Sequence, residues 1–249
     1  MTSSASSSID PDEVARFSAQ AREWWNPNGP FRPLHKFNPV RLGYIRDQIG
    51  AHFGRTTQAS SPFTGLCVLD IGCGGGLVCE PMARLGAQVT GVDASAENVA
   101  TAHAHARAQG LNIDYRHGSA EALAEEGRCF DVILNLEVIE HAADPDVFLN
   151  GCAQLLKPGG LMVMASLNRT LKSYALAVIG AEYLLQWLPR GTHDWNKFIT
   201  PDELAAKLER LGLQITSRTG VSYRILNDRW ALSADQGVNY MLCAVKPEA

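Results

Sequence analysis

Two carboxylates and a cluster of glycines lie close together in the first 100 residues. The stretch Asp70-Ile-Gly-Cys-Gly-Gly-Gly76 closes an apolar run that begins at Val68, and Asp93, 21 residues after Gly72, closes a second run that begins at Gln88. Glycines at 72, 74, 75 and 76 remove side chains where a backbone must approach a ligand closely. An acid about 20 residues beyond the first glycine of such a turn is placed to hold a ribose diol. The chemistry implied is the binding of a nucleoside.

Which nucleoside is decided by spacing and charge. A dinucleotide fingerprint G-x-G-x-x-G starting at Gly72 needs a small residue at 77, where this chain has Leu77. Asp70 adds an electrostatic objection, because a carboxylate beside the turn repels a pyrophosphate and attracts an ammonium or sulfonium group. S-adenosyl-L-methionine carries both cations and no phosphate, so Asp70, Gly72, Gly74 and Asp93 are expected to bind it.

A second reactive set is Glu137-Val-Ile-Glu-His141. On a helical turn Glu137, Glu140 and His141 fall at i, i+3 and i+4 and share a face. Methyl transfer to oxygen needs a deprotonated nucleophile, and a phenol of pKa about 10 requires a base or a metal at neutral pH. His141 is the candidate base. The triplet could instead hold Mg²⁺, which would chelate two adjacent substrate oxygens, although histidine is an unusual Mg²⁺ ligand. A third reading is that the acids only complement a helix dipole while His141 solvates the surface.

The elements that must position these groups follow from patterning. Candidate strands at 68–71, 89–92, 113–115, 130–134, 161–166, 214–218 and 240–245 alternate with helical stretches, which implies an α/β fold, a mostly parallel sheet of seven strands wound on both faces. Ligands in such sheets lie outside the carboxyl ends of strands one and four, where the winding reverses, so residues after Asn135 face the cofactor. Asp10-Pro-Asp-Glu13 caps a helix from about Pro11, a turn-rich aromatic loop spans 24–31, and Asn38-Pro39 is expected to start a second helix reaching about Phe53. Residues 11–60 form an expected helical lid over the crevice, after a disordered tail at 1–10, within one domain spanning 11–249.

Composition limits the partners. A formal net charge of −4 argues against nucleic acid, which normally meets a basic face. The six cysteines include no C-x-x-C pair and read as structural thiols of a reducing compartment, and the N-terminus lacks the basic start and apolar core of a secretory signal, so a cytoplasmic location is expected. Within 168–199, the run 174–188 carries only Glu182 and Gln186 as strongly polar residues. It is shorter than a bilayer-spanning segment. With Lys172, Arg190 and Trp187 near its ends, residues 172–190 are expected to touch the membrane interface peripherally, on its inner face. Walling a lipid-like substrate or packing in a core or dimer are the alternatives.

The glycine motif and Asp93 resemble those of the class I methyltransferases, whose fold is Rossmann-like. Five further stretches, Phe37 to Ile45, Glu137 to His141, Ser166-Leu-Asn-Arg169, Gly191-Thr-His-Asp194 and Val238-Asn-Tyr-Met241, resemble the ubiquinone biosynthesis O-methyltransferases. That resemblance runs from about Val14 to Cys243. It implies methylation of catechol-type hydroxyls on polyprenylated ubiquinone precursors at both O-methylation steps, and a place in a ubiquinone biosynthetic complex. It further implies that Leu136 packs on the cofactor, that Arg41 grips its carboxylate through paired hydrogen bonds, that Glu137, Glu140 and His141 match the acid-acid-histidine set of metal-dependent members, and that His193 and Asp194 belong to a substrate-side loop. Methylation of a small soluble phenol or a ring carbon, and a non-catalytic S-adenosylmethionine-binding module, are the rival readings.

Overall fold

The computed structural model of the chain describes residues 8–174, 195–224 and 227–248. Eight strands form one sheet: β1 (Cys67–Ile71), β2 (Gln88–Asp93), β3 (Asp114–His117), β4 (Phe130–Leu136), β5 (Leu156–Leu167), β6 (Gln214–Arg224), β7 (Arg229–Ser233) and β8 (Asn239–Val245). Their order is β3-β2-β1-β4-β5-β8-β6-β7, parallel from β3 to β5 and antiparallel beyond. The sequence pattern anticipated seven of these. It passed over β7, an edge strand paired only with β6 and partly exposed, because a strand that buries no full face carries no apolar alternation.

Helices cover both faces: α1 (Pro11–Ser18), α2 (Arg32–His52), α3 (Cys79–Arg84), α4 (Ala96–Ala108), α5 (Ala120–Glu125), α6 (Pro145–Leu155), a single turn α7 (Leu171–Ser173) and α8 (Pro201–Arg210). Successive residues of the central strands feed opposite cores. Val68, Val132, Leu134 and Val163 pack with Ile45 and Ile49 of α2 and Met82 of α3. Leu69, Ile133, Met162 and Met164 pack with Phe148 and Leu149 of α6 and Leu204 and Leu208 of α8. This two-sided burial explains why the central strands read as continuous apolar runs.

Two expectations about the N-terminal region change. Helix α2 begins at Arg32 rather than at Asn38, with Pro33 in its first turn and Pro39 inside it. A first-turn proline is pre-set for a helix start, whereas Pro39 removes one interior hydrogen bond, a local loss that the burial of Phe37, Tyr44, Ile45 and Ile49 outweighs. Residues 8–10, counted from sequence in a disordered tail, are placed: Ser8 is buried and its carbonyl accepts the Ala143 N–H at 2.8 Å.

Candidate active site

The sheet order reverses between β1 and β4, and a cavity of about 800 Å³ opens at the carboxyl ends of these strands. Asp70, Gly72, Asp93, Leu136, Glu137, Glu140, His141 and Arg41 all line it. Gly74 stands behind the lining, under the indole of Trp24.

At the cofactor end the geometry is set by short-range bonds. Gly72 and Gly74 have φ of +67° and +52°, a left-handed conformation open to glycine at little cost. A Cβ on Gly72 would come within 2.5 Å of Val138, in the loop after β4, and one on Gly74 within 2.3 Å of the Trp24 ring. Asp93 accepts the Gly74 N–H through Oδ2 and the Ser95 N–H through Oδ1, both at 2.8 Å, with the Asn98 side chain at 3.2 Å. Asp93 thus fastens the turn after β1 to the start of α4. A carboxylate offers about four lone-pair sites, so acceptor capacity for a ribose remains. Burial raises its pKa against those donors.

Asp70 is buried, and its Oδ2 accepts from the Cys79 thiol at 3.1 Å. Burial lifts its pKa to about 6, opposed by Cys79 and by the charge of Arg41. A buried carboxylate that burial makes costly to ionise is matched to a cationic ligand, which would favour its charged form. Arg41 donates to Glu137 Oε2 at 2.7 Å and, through Nε and Nη2, to Asn38. Three of its five N–H donors are thereby engaged, and one remains on each terminal nitrogen, the number a carboxylate needs for two parallel bonds.

Aromatic side chains close this end, and none of them carries an individual signal in the sequence. Trp24 stacks on Phe31 with centroids 3.8 Å apart and donates to Asn98 at 2.8 Å. Trp25 stacks on His105 at 3.5 Å and donates to the Gly75 carbonyl at 2.8 Å. The Trp-Trp pair was visible as an aromatic loop. Its contact with the glycine turn, some 50 residues on, was not.

At the other end the expectation of a helical face fails. Glu137 has φ +56°, a strained value for a non-glycine residue, and its N–H donates to the Ala165 carbonyl at 2.9 Å, so it lies outside the turn Ile139–His141. The three side chains diverge. Glu137 pairs with Arg41, Glu140 Oε2 accepts from Ser166 at 3.0 Å, and His141 Nδ1 lies 2.9 Å from Glu13 Oε2. Among the described residues no group of three His, Cys, Asp or Glu side chains is placed to hold a metal ion, so the set as it stands does not fit Mg²⁺. Burial, reinforced by Glu137, lifts Glu140 to about 7, and burial raises Glu137 against the pull of Arg41 and His141. Glu137 Oε1 and Glu140 Oε1 are buried without a hydrogen-bond partner, an arrangement that invites a donor from a ligand. His193 and Asp194 lie outside the described residues.

The family described as a methyltransferase domain matches residues 69–164. Proteins named ubiquinone biosynthesis O-methyltransferase are similar along nearly the whole chain. That of Chelativorans sp. (strain BNC1) is 63% identical over 97% of this chain and 95% of its own length, and that of Parvibaculum lavamentivorans is 61% identical over 96% and 95%. The chain belongs to the ubiquinone biosynthesis O-methyltransferase family. Among solved structures, a magnesium protoporphyrin IX methyltransferase from Synechocystis PCC 6803, with bound SAH, shares the fold with a TM-score of 0.63 at 20% identity, covering 94% of this chain and 93% of that one. Family membership makes the protein a methyltransferase.

Proposed function

We propose that this methyltransferase uses S-adenosyl-L-methionine to methylate catechol-type hydroxyls of polyprenylated ubiquinone precursors, at both O-methylation steps of that pathway. The observation that carries the reading is one cavity that joins the Asp70–Asp93 end to His141 between apolar walls formed by Phe17, Leu34, Phe37, Val221 and Trp230. When bound, the donor supplies an electrophilic methyl on a positively charged sulfur. Asp70 offsets that charge and that of the ammonium, Arg41 turns its two remaining donors to the carboxylate, Asp93 holds the ribose, and Leu136 packs on the base.

His141 takes the phenolic proton. Glu137 Oε1 and Glu140 Oε1 have no partner, and a ring hydroxyl donating to either of them would hold the acceptor in place. The apolar walls fit a prenylated ring, and Leu171, 81% exposed at the start of α7, leads into residues 172–190, which we assign to peripheral membrane contact. No helix among the described residues is long and apolar enough to cross a membrane.

The test incubates purified protein with methyl-labelled donor and either a prenylated catechol or its water-soluble, tail-less analogue, each with and without chelator. Turnover of the prenylated compound at least about tenfold above the analogue supports the reading, and equal turnover of both sinks the substrate assignment. His141→Ala should lower turnover by about 10²-fold or more, the scale of a lost general base. Activity abolished by chelator would reassign proton removal to a metal. For the membrane, Leu184→Ser with Leu185→Ser should reduce flotation with anionic liposomes, and unchanged flotation removes that role.

A further inference from the structure

Helix α1 contributes no fully buried side chain. Phe17 packs against the cluster of Trp24, Phe31 and Leu77, and further contacts are made at the two ends of the cavity. Towards the cofactor end, Ser18 donates to the hydroxyl of Ser95 at 2.7 Å, and the Ser95 N–H is one of the donors that hold Asp93. Towards the other end, Glu13 Oε2 lies 2.9 Å from His141 Nδ1, and the Phe17 ring meets the imidazole edge-on, with centroids 5.2 Å apart and planes at 79°. The Glu13 position on the helix is itself fixed, since Asp10 caps the N–H of both Asp12 and Glu13.

We propose that Glu13 is a positioning residue for His141: its carboxylate, delivered by α1, fixes the imidazole orientation and tautomer so that the base is complete only when α1 covers the cofactor. The proposal rests on the functional reading above. A carboxylate against one ring nitrogen places the proton on that nitrogen, leaves the other basic, and stabilises the imidazolium formed when a proton is taken up. Phe17 restrains the ring in the second direction.

The groups around this pair suit the role. Glu137 and Glu140 approach His141 from its own segment, while Arg16 pairs with Glu13 and Lys197 lies 4.0 Å from Glu13 Oε1 and 3.0 Å from Asp10 Oδ2.

The experiment compares wild type, Glu13→Ala, Glu13→Gln and Glu13→Asp in the full chain. It measures kcat and KM with prenylated catechol, calorimetric affinity for S-adenosylhomocysteine, and the ring ¹⁵N shifts of His141 in labelled protein. Glu13→Ala should lower kcat about tenfold or more, with product affinity changed less than about threefold, and move the ring signals away from the Nδ1-protonated tautomer. Glu13→Gln, which keeps an oxygen acceptor, should hold the tautomer and recover part of kcat. Unchanged kcat and tautomer in Glu13→Ala overturn the proposal. So does a loss of kcat matched by an equal loss of affinity, which would make α1 a cover and nothing more. The tautomer is read without turnover, so a wrong substrate assignment shows itself as an inactive wild type and leaves that arm decisive.

Discussion

The two ends of the cavity are built in different ways. At the cofactor end, Asp93 bonds to Gly74, Ser95 and Asn98, all within about 20 residues, and the elements involved are consecutive in the chain. At the acceptor end each side chain is completed from far away: Glu137 by Arg41, 96 residues distant, Glu140 by Ser166 on β5, and His141 by Glu13 on α1. The Asp93 bonds of the first end lie within one run of consecutive elements, although Trp24 and Trp25 cover it from the N-terminal region. The second exists only once the N-terminal helices have packed against the sheet.

The contrast can be broken most severely at Gly74. In Gly74→Ala the new methyl would lie 2.3 Å from the Trp24 ring at a residue held at φ +52°. Affinity for S-adenosylhomocysteine should fall by about 100-fold or more, because both the turn and its aromatic cover must move. Binding within threefold of wild type, measured by calorimetry, would show that the cofactor end does not depend on this close fit between the turn and Trp24.

An effect of similar size, read on stability, is expected at Arg41, which bonds Glu137 and whose charge also reaches Asp70. Arg41→Leu strands Glu137 without its cation and should cost about 3 kcal/mol or more in urea unfolding, the range for breaking a buried pair. Adding Glu137→Gln should restore a substantial part of that stability. If the two losses simply add, the pair is not coupled and the ends are independent.

The mildest test is titration at Asp70. Burial raises its pKa from 3.8 to about 6, so the unliganded fold is favoured by the protonated acid. That contribution is fully present below pH 3.8 and is lost as pH rises through about 6. A cationic donor needs the ionised form, so its affinity should weaken as pH falls through about 6, tending towards tenfold per unit. Asp70→Asn should bind more weakly and abolish that slope. A slope that survives in Asp70→Asn would place the cation elsewhere.

These differences also mark how much could be read in advance. The glycine turn, Asp70, Asp93 and the central strands were legible because their signals are local: an apolar run, a turn without side chains, an acid at a set distance. Glu137, Glu140 and His141 were legible as reactive types, but their spacing suggested a shared helical face, and the positive φ of Glu137 breaks it. No propensity announces that a glutamate will occupy a left-handed conformation, since tertiary contacts with Arg41 and the Ala165 carbonyl enforce it. Trp24, Ser166 and Glu13 acquire their roles solely through contacts between distant segments.

By its sequence alone this chain determined a doubly wound sheet and a glycine turn set between two acids, because short-range sterics and apolar periodicity need only neighbouring residues. Tertiary structure decided which partner each reactive side chain keeps. Three acidic and basic groups that share a pentapeptide are drawn to Arg41, Ser166 and Glu13 in turn, since a buried charge must be met by whichever donor or counter-charge the packed helices bring to it.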